Sequence, residues 1–375
     1  MKKMYLSAAA LMCGAVMFAQ TNQSDIIQED DGNNATLTQT GSSNVNNLKQ
    51  EVGNNLAAVN QIGDNNTLQN SSLNAGDAPY ARQRQKSVLE LDQLGDGNTL
   101  GLFQRRQKNK AYVNQEGNNN TADVWQRAQN GFVLGNEAFI DQIGNNNIKA
   151  DIYQKGDLNV ADIDQTGDLN SASITQDGLN VAPDGGLNND SFIEQDGDGN
   201  TSTVDVFGNG NDTDALMQNN ANGNTTNQII VGNDNTAYAR IQRSGNNANQ
   251  DIDGNNNEVR TNIHGSDNII DQDVIGDFNY SSLTASSSAD ENDMKSEQYG
   301  DYNYNRLRIF TGGSLNSFDI IQNGDWNRSV NEITGSSNEI NISQTGYGSS
   351  GALANLSTNT VVGSGNNIMV TQTNN

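Results

Sequence analysis

An asparagine followed six residues later by a glutamine recurs at Asn22/Gln28, Asn33/Gln39, Asn44/Gln50 and Asn55/Gln61, so successive units are 11 residues apart. The register returns at Asn98, Asn109 and Asn120, at Asn159 and Asn170, at Asn200 and Asn211, from Asn246 through Asn279, and at Asn316, Asn327 and Asn338. A period that fills nearly the whole chain restricts the fold to a repeat array, in which each unit is one supersecondary element stacked on its neighbours. Within Asn159-Val160-Ala161-Asp162-Ile163-Asp164-Gln165, alternate residues separate into Asn, Ala, Ile, Gln and Val, Asp, Asp. Period two is a strand, and the first set is the face expected to be buried.

A glycine stands two residues after many of the closing glutamines, as at Gly63, Gly95, Gly117, Gly144, Gly156, Gly167, Gly197 and Gly324. Its tolerance of positive φ suits a tight reversal. Eleven residues, seven in a strand and four in a turn, are too few for a crossover helix but suit one side of a flattened coil. The expected fold is therefore all-β: a two-sheet β-solenoid with two units, about 22 residues, per rung and roughly 14 to 16 rungs, ~70 Å long at ~4.8 Å per rung. Residues 22 apart then stack, placing Asn33 over Asn55 and Gln39 over Gln61. Asn109/Gln115, Asn120/Gln126, Asn159/Gln165, Asn170/Gln176 and Asn338/Gln344 belong to the same expected ladders. A buried amide without a partner costs roughly 1–3 kcal/mol, so a polar interior is stable only when every rung repeats it.

Composition serves this reading. The chain has 375 residues, 63 of them Asn and 29 Gln, with 38 Gly and only 2 Pro to interrupt strand pairing. The formal net charge of -25 argues against nucleic acid or an anionic membrane as partner. Between residues 246 and 279 the closing glutamine becomes Ile252, Ile263 and Val274, which reads as a better packed stretch of core. Irregular insertions are expected near 71–88, 182–190, 281–298 and 347–360, where the unit pattern is lost.

Lys2 and Lys3 precede an apolar run, Tyr5 to Phe18, with Ala19 at a cleavage point, so residues 1–19 are expected to be a signal peptide and 20–375 the secreted repeat domain. Cys13, the one cysteine, lies inside that run, which leaves the secreted chain without a disulfide. Lipid modification of Cys13 is the alternative, but Met12 before it is a poor fit. No second apolar stretch is long enough to cross a membrane as a helix.

Several units share a fuller pattern: Gln154, Gly156, Asn159, Ala161 and Gln165; Gln165, Gly167, Asn170, Ala172 and Gln176; and Gln115, Gly117, Asn120, Ala122 and Gln126. This resembles the curlin repeat. The resemblance implies a secreted subunit of curli-type amyloid fibres in the biofilm matrix of Gram-negative bacteria, a minor nucleating subunit as partner, and export through a dedicated outer-membrane pore. Many units keep the Asn but lose the Ala or Gln, and the chain is longer than familiar curlin subunits.

Chemistry points away from an enzyme, and neither cofactor nor metal is expected. His264 is the one histidine and lies at a repeat turn, so a His-pair metal site is unavailable and a Ser-His-Asp triad would rest on that residue. A β-helix polysaccharide-degrading enzyme is the enzymatic alternative, and a capped monomeric adhesin the non-fibrous one. Asp follows the turn glycine at Asp64, Asp96, Asp157, Asp168, Asp198, Asp277, Asp301 and Asp325, which raises calcium; the nine-residue calcium repeat is absent, and such Asp residues usually bond their own backbone. Finally, Arg82, Arg84, Lys86, Arg105, Arg106, Lys108 and Lys110 place seven of 20 basic residues within 29 positions. They gatekeep strand edges or form a dock for an acidic polysaccharide or an acidic neighbouring subunit.

Overall fold

A computed structural model describes residues 21–73, 79–128, 134–178, 186–310, 312–349 and 354–374. The expected signal peptide and Cys13 lie outside them. Every helix-or-strand element among the described residues is a strand, and the chain alternates between two parallel sheets. One sheet has 14 strands, so the coil makes about 14 turns; the other has 17, because one of its layers is split into Thr67–Asn70 and Ala81–Arg84 and another adds Gly186–Leu187 to Ser171–Asp177. The two-sheet β-solenoid expected from the period is the fold.

Register follows side-chain identity. Val160–Thr166 pairs with Glu137–Ile143 so that Ala161 meets Ala138, Ile163 meets Ile140 and Gln165 meets Gln142. Burial alternates as the period requires: Ala161 and Ile163 are buried, while Val160, Asp162 and Asp164 are half-buried on the outer face. The inward Ala, Ile, Leu and Val side chains make two apolar clusters, which meet near Met217 and Ile241.

Rung length is less uniform than the 22 residues expected. Asparagines on successive rungs are 22 apart at Asn98/Asn120 and Asn246/Asn268, but 24 at Asn200/Asn224, 27 at Asn109/Asn136, 30 at Asn170/Asn200 and 32 at Asn66/Asn98. The irregular segments are narrower than their sequence suggests. Ala81–Arg84 is a strand inside 71–88, Leu356–Val362 begins inside 347–360, and Asp190–Asp196 begins at the edge of 182–190. The segment 281–298 contains two strands, Tyr280–Ala285 and Asp293–Tyr299, so only its middle leaves the coil. Ser281, Leu283, Met294 and Ser296 occupy inward positions there, fully buried; Ser281 and Met294 stand where other units have Ala, while Gln298 keeps the closing glutamine.

The turns demand glycine for two reasons. Gly167 has φ +115, and a Cβ there would stand 2.3 Å from the carbonyl oxygen of Gly197 on the next rung. Two residues later the chain turns left-handed again, and non-glycine residues accept it: Leu169, Phe278, Tyr302 and Trp326 have φ between 57 and 62. Three of these stack along the corner, Phe278 on Tyr302 at 5.0 Å and Tyr302 on Trp326 at 4.4 Å. Ring contact between rungs offsets part of the backbone strain.

Candidate functional site

The amides form directional ladders. Gln126 Nε2 donates to Gln154 Oε1 at 2.8 Å and to the Lys110 carbonyl at 2.9 Å, while its own Oε1 accepts from Gln104 Nε2 at 2.9 Å. Each glutamine thus joins its neighbours along the stack and also crosses to the opposite sheet. The asparagines run in the reverse sense. Asn257 donates N–H and Nδ2 to Asn235 Oδ1, and Nδ2 also to the Gly276 carbonyl of the next turn. Both sets are buried, so each bond forms away from water and a missing partner leaves a buried polar group unsatisfied.

The expected ladder residues meet as follows. Asn33 receives Asn55 at 2.9 Å, and Gln39 donates to Gln61 at 2.8 Å. Asn109 receives Asn136, Gln115 donates to Gln142, Asn120 donates to Asn98, and Asn159 donates to Asn136. Asn170 receives Asn200, Gln165 donates to Gln195, Asn338 donates to Asn316, and Gln344 donates to Gln372. Gln176 ends its column on the Ser191 hydroxyl, because Val206 follows it on the next rung.

The apolar stretch expected for 246–279 is longer. Inward positions replace the closing glutamine from Val206 to Val274 in the first sheet, and from Met217 to Val361 in the second. Another ladder compensates in part: Gln228 donates to Gln250 and Gln250 to Gln272, two positions earlier along the strand. The 11-residue rule misses these residues, since their signal is the period-two face alone. Where a column begins above an apolar residue, its first oxygen has no partner, as at Gln228 Oε1 over Val204 and Gln298 Oε1 over Val274.

All eight expected turn glycines have φ between 98 and 132. The turn aspartates do something other than bond their own backbone. Asp64 Oδ1 accepts the Ser42 N–H at 2.6 Å, Asp96 the Asp64 N–H at 2.7 Å, and Asp168, Asp198, Asp301 and Asp325 likewise accept an N–H from the adjacent rung. Their carboxylates stitch turns together. Among the described residues no cluster of His, Cys, Asp and Glu is arranged to hold a metal. His264 closes a strand, with its ring against the Gln242 amide, and burial lowers its pKa.

The basic segment divides. Burial alone would raise the Glu51 carboxyl, but ion pairs with Lys49 and, at 2.8 Å, with Arg82 and Arg84 hold it below its ordinary range. Arg84, Arg105 and Arg106 line a cleft of about 270 Å³ with Val52 and Gln85, and Lys86 and Lys108 sit in left-handed turns beside it. Lys110 belongs to the other sheet and pairs with Glu137. The cross-rung register adds two cations that lie outside the segment: Arg105, Arg127 and Lys155 occupy one outward column on three successive layers.

Among the described residues the first and last strands are each paired on one side alone. Gln23–Gln28 pairs only with Val45–Glu51, and Asn367–Asn374 only with Glu339–Gly346. Among the described residues, Gln28 Oε1 has no donor below it, and Gln372 Nε2 bonds the Leu356 carbonyl with no glutamine beyond. Asn366 Oδ1 likewise has no asparagine above it, and at the other end the Asn22 N–H has none below. The described strands fill fifteen layers of one sheet, two of them shared by two strands, and fourteen of the other.

Parallel, in-register coils with buried amide ladders define the class: a repeat β-solenoid whose stacking direction is also its direction of extension. Within that class the curlin associated repeat matches residues 91–126, 149–178 and 313–346, so the chain carries curlin repeats in three stretches of the coil. No curated protein matches it. The repeats and the fold together fit a structural subunit of the curli type.

Proposed function

We propose that this protein is a secreted, non-enzymatic subunit that assembles end to end into curli-like amyloid fibres of the extracellular matrix, supporting adhesion and aggregation. The observation that carries the reading is the complementarity of the first and last strands. In a head-to-tail joint through the fifteen-layer sheet, Gln372 Nε2 of one copy faces Gln28 Oε1 of the next, and Asn366 Oδ1 faces the Asn22 N–H. Val370 meets Ile26 between them. Each contact repeats one already made inside the coil, so addition continues existing ladders.

Export through an outer-membrane pore and initiation by a minor nucleating subunit accompany this reading, as the curlin resemblance implies. The Arg105–Arg127–Lys155 column is the place an acidic matrix polysaccharide would dock. The test is seeded growth of the secreted chain, beginning near Gln20, followed by electron microscopy and fibre diffraction. Seeded fibres with a ~4.7–4.8 Å meridional reflection are expected, with slower elongation for Gln28→Leu and Gln372→Leu. Persistent β-rich monomers would overturn the reading in favour of a capped adhesin or a calcium- or polysaccharide-binding solenoid.

A further inference from the structure

The outer face of the fourteen-layer sheet is divided by charge along the coil. Its strands from Val88–Leu94 to Asp212–Met217 carry twelve carboxylates and one cation, Lys110. Those from Thr236–Ile241 to Arg328–Thr334 carry five arginines against Glu258 and Glu332. Acidic residues thus stack on acidic ones at rung spacing, and arginines follow. Two of the arginines are held over rings of the same face, Arg308 at 4.6 Å from Phe310 and Arg328 at 5.1 Å from Tyr304.

In the other sheet, the described outer face next to the Arg105–Arg127 column is partly covered. Ser72 bonds Asp123 across it through both N–H and hydroxyl, and Phe103 and Trp125 beneath are buried.

We infer that two copies pair laterally through the fourteen-layer sheet, with coil axes antiparallel, so that the acidic block of each lies on the arginine block of the other. A two-fold axis parallel to the strands keeps every outward column opposite itself. Centred on the strand Thr236–Ile241, it sets Asp162 against Arg306 and Asp164 against Arg308, because Val160–Thr166 and Tyr304–Ile309 lie three layers to either side. The same register sets Glu137 against Arg328 and Asp214 against Arg260, so opposite-charge pairs outnumber the like-charge ones, Asp141 against Glu332, Asp212 against Glu258 and Arg240 against its own copy. Two-fold symmetry makes each contact twice. Eleven layers overlap, an area of about 50 by 20 Å, or ~1,000 Å² per copy, above the ~800 Å² per partner of a standard stable interface. A parallel arrangement through the same face would lay carboxylates on carboxylates.

The burial that goes with this face is already felt in the single coil. Burial, followed by Asp164, Asp190 and Asp141, raises the Asp162 carboxyl to about 7, and burial with Asp141 and Glu194 raises Asp164 to about 6. Arginines from a partner copy supply the countercharge that the coil itself lacks there.

The test is sedimentation velocity and small-angle scattering on the freshly purified, unseeded protein, at about 10 mM and about 1 M salt, where the screening length falls from ~30 to ~3 Å. A dimer of doubled cross-section and length near 80 Å is expected at low salt and monomer at high salt; an end-to-end dimer of ~140 Å would instead report the fibre contact. Asp162→Arg/Asp164→Arg should weaken the lateral dimer at least about ten-fold, and adding Arg306→Asp/Arg308→Asp should restore it. A monomer at low salt overturns the inference. So does a dimer indifferent to these changes, or one that depends instead on Arg105 and Arg127 of the other sheet.

Discussion

Replacing Gln126 with leucine tests whether the polar interior is held by ladder continuity or merely fills space. In the intact coil Gln126 accepts from Gln104 and donates to Gln154, both of them buried. Leucine leaves the Gln154 oxygen without its donor and one Gln104 N–H without its acceptor, at about 1–3 kcal/mol each, or ~2–6 kcal/mol together. The apolar gain of leucine offsets on the order of 1 kcal/mol of this. Gln298→Leu is the matched control, because Gln298 Oε1 already lacks a partner above Val274. Its removal deletes one unsatisfied oxygen and creates another at Gln322, so the expected change is close to zero. Repeat arrays open locally, so amide hydrogen exchange in Thr99–Arg105 and Lys149–Asp157 is the appropriate assay, alongside the thermal midpoint. Exchange there should accelerate by ten-fold or more for Gln126→Leu. Equal effects of the two substitutions, or a stabilised Gln126→Leu, would refute the ladder account.

Three further expectations follow from the turns and the charge. Gly167→Val should cost at least about 1–3 kcal/mol from backbone strain and should slow seeded growth, because its Cβ collides with the Gly197 carbonyl; Gly199→Asn, at φ +65 with nothing within 4 Å, should leave the melting temperature nearly unchanged. The raised carboxyls of Asp162, Asp164 and Asp214 give stability a definite pH slope. Their folded pKa values exceed the unfolded value near 3.8, so the folded state binds protons more tightly, and stability rises as pH falls through about 7 to 4. Urea midpoints of the monomer should be higher at pH 5 than at pH 8, and Asp162→Asn/Asp164→Asn should flatten the difference; a reversed slope contradicts the assignment. With a net charge of -25, end-to-end elongation should accelerate as salt rises, whereas lateral pairing should weaken. Elongation rates that ignore salt would contradict the first half of that statement.

The amino-acid sequence by itself determined the period-two strand, the column each residue occupies, the turn glycines and the identity of the ladders wherever 22 residues separate the partners. These are local properties: alternation sets the face, and Gly-Asp-x-Asn sets the reversal. It did not determine which units meet once rung length changes. Gln50 reaches Gln83 across 33 residues, and the column passes from Gln176 to Val206 while a new one opens at Gln228. Parallel backbone hydrogen bonding decides those pairings, since a strand keeps its register with the layer beneath whatever the length of chain that leaves and returns. The segregation of charge has the same origin. Asp164 and Arg308 are unremarkable as neighbours in the chain, and only the alternation of faces combined with the order of layers places one block of carboxylates and one of arginines on a single surface.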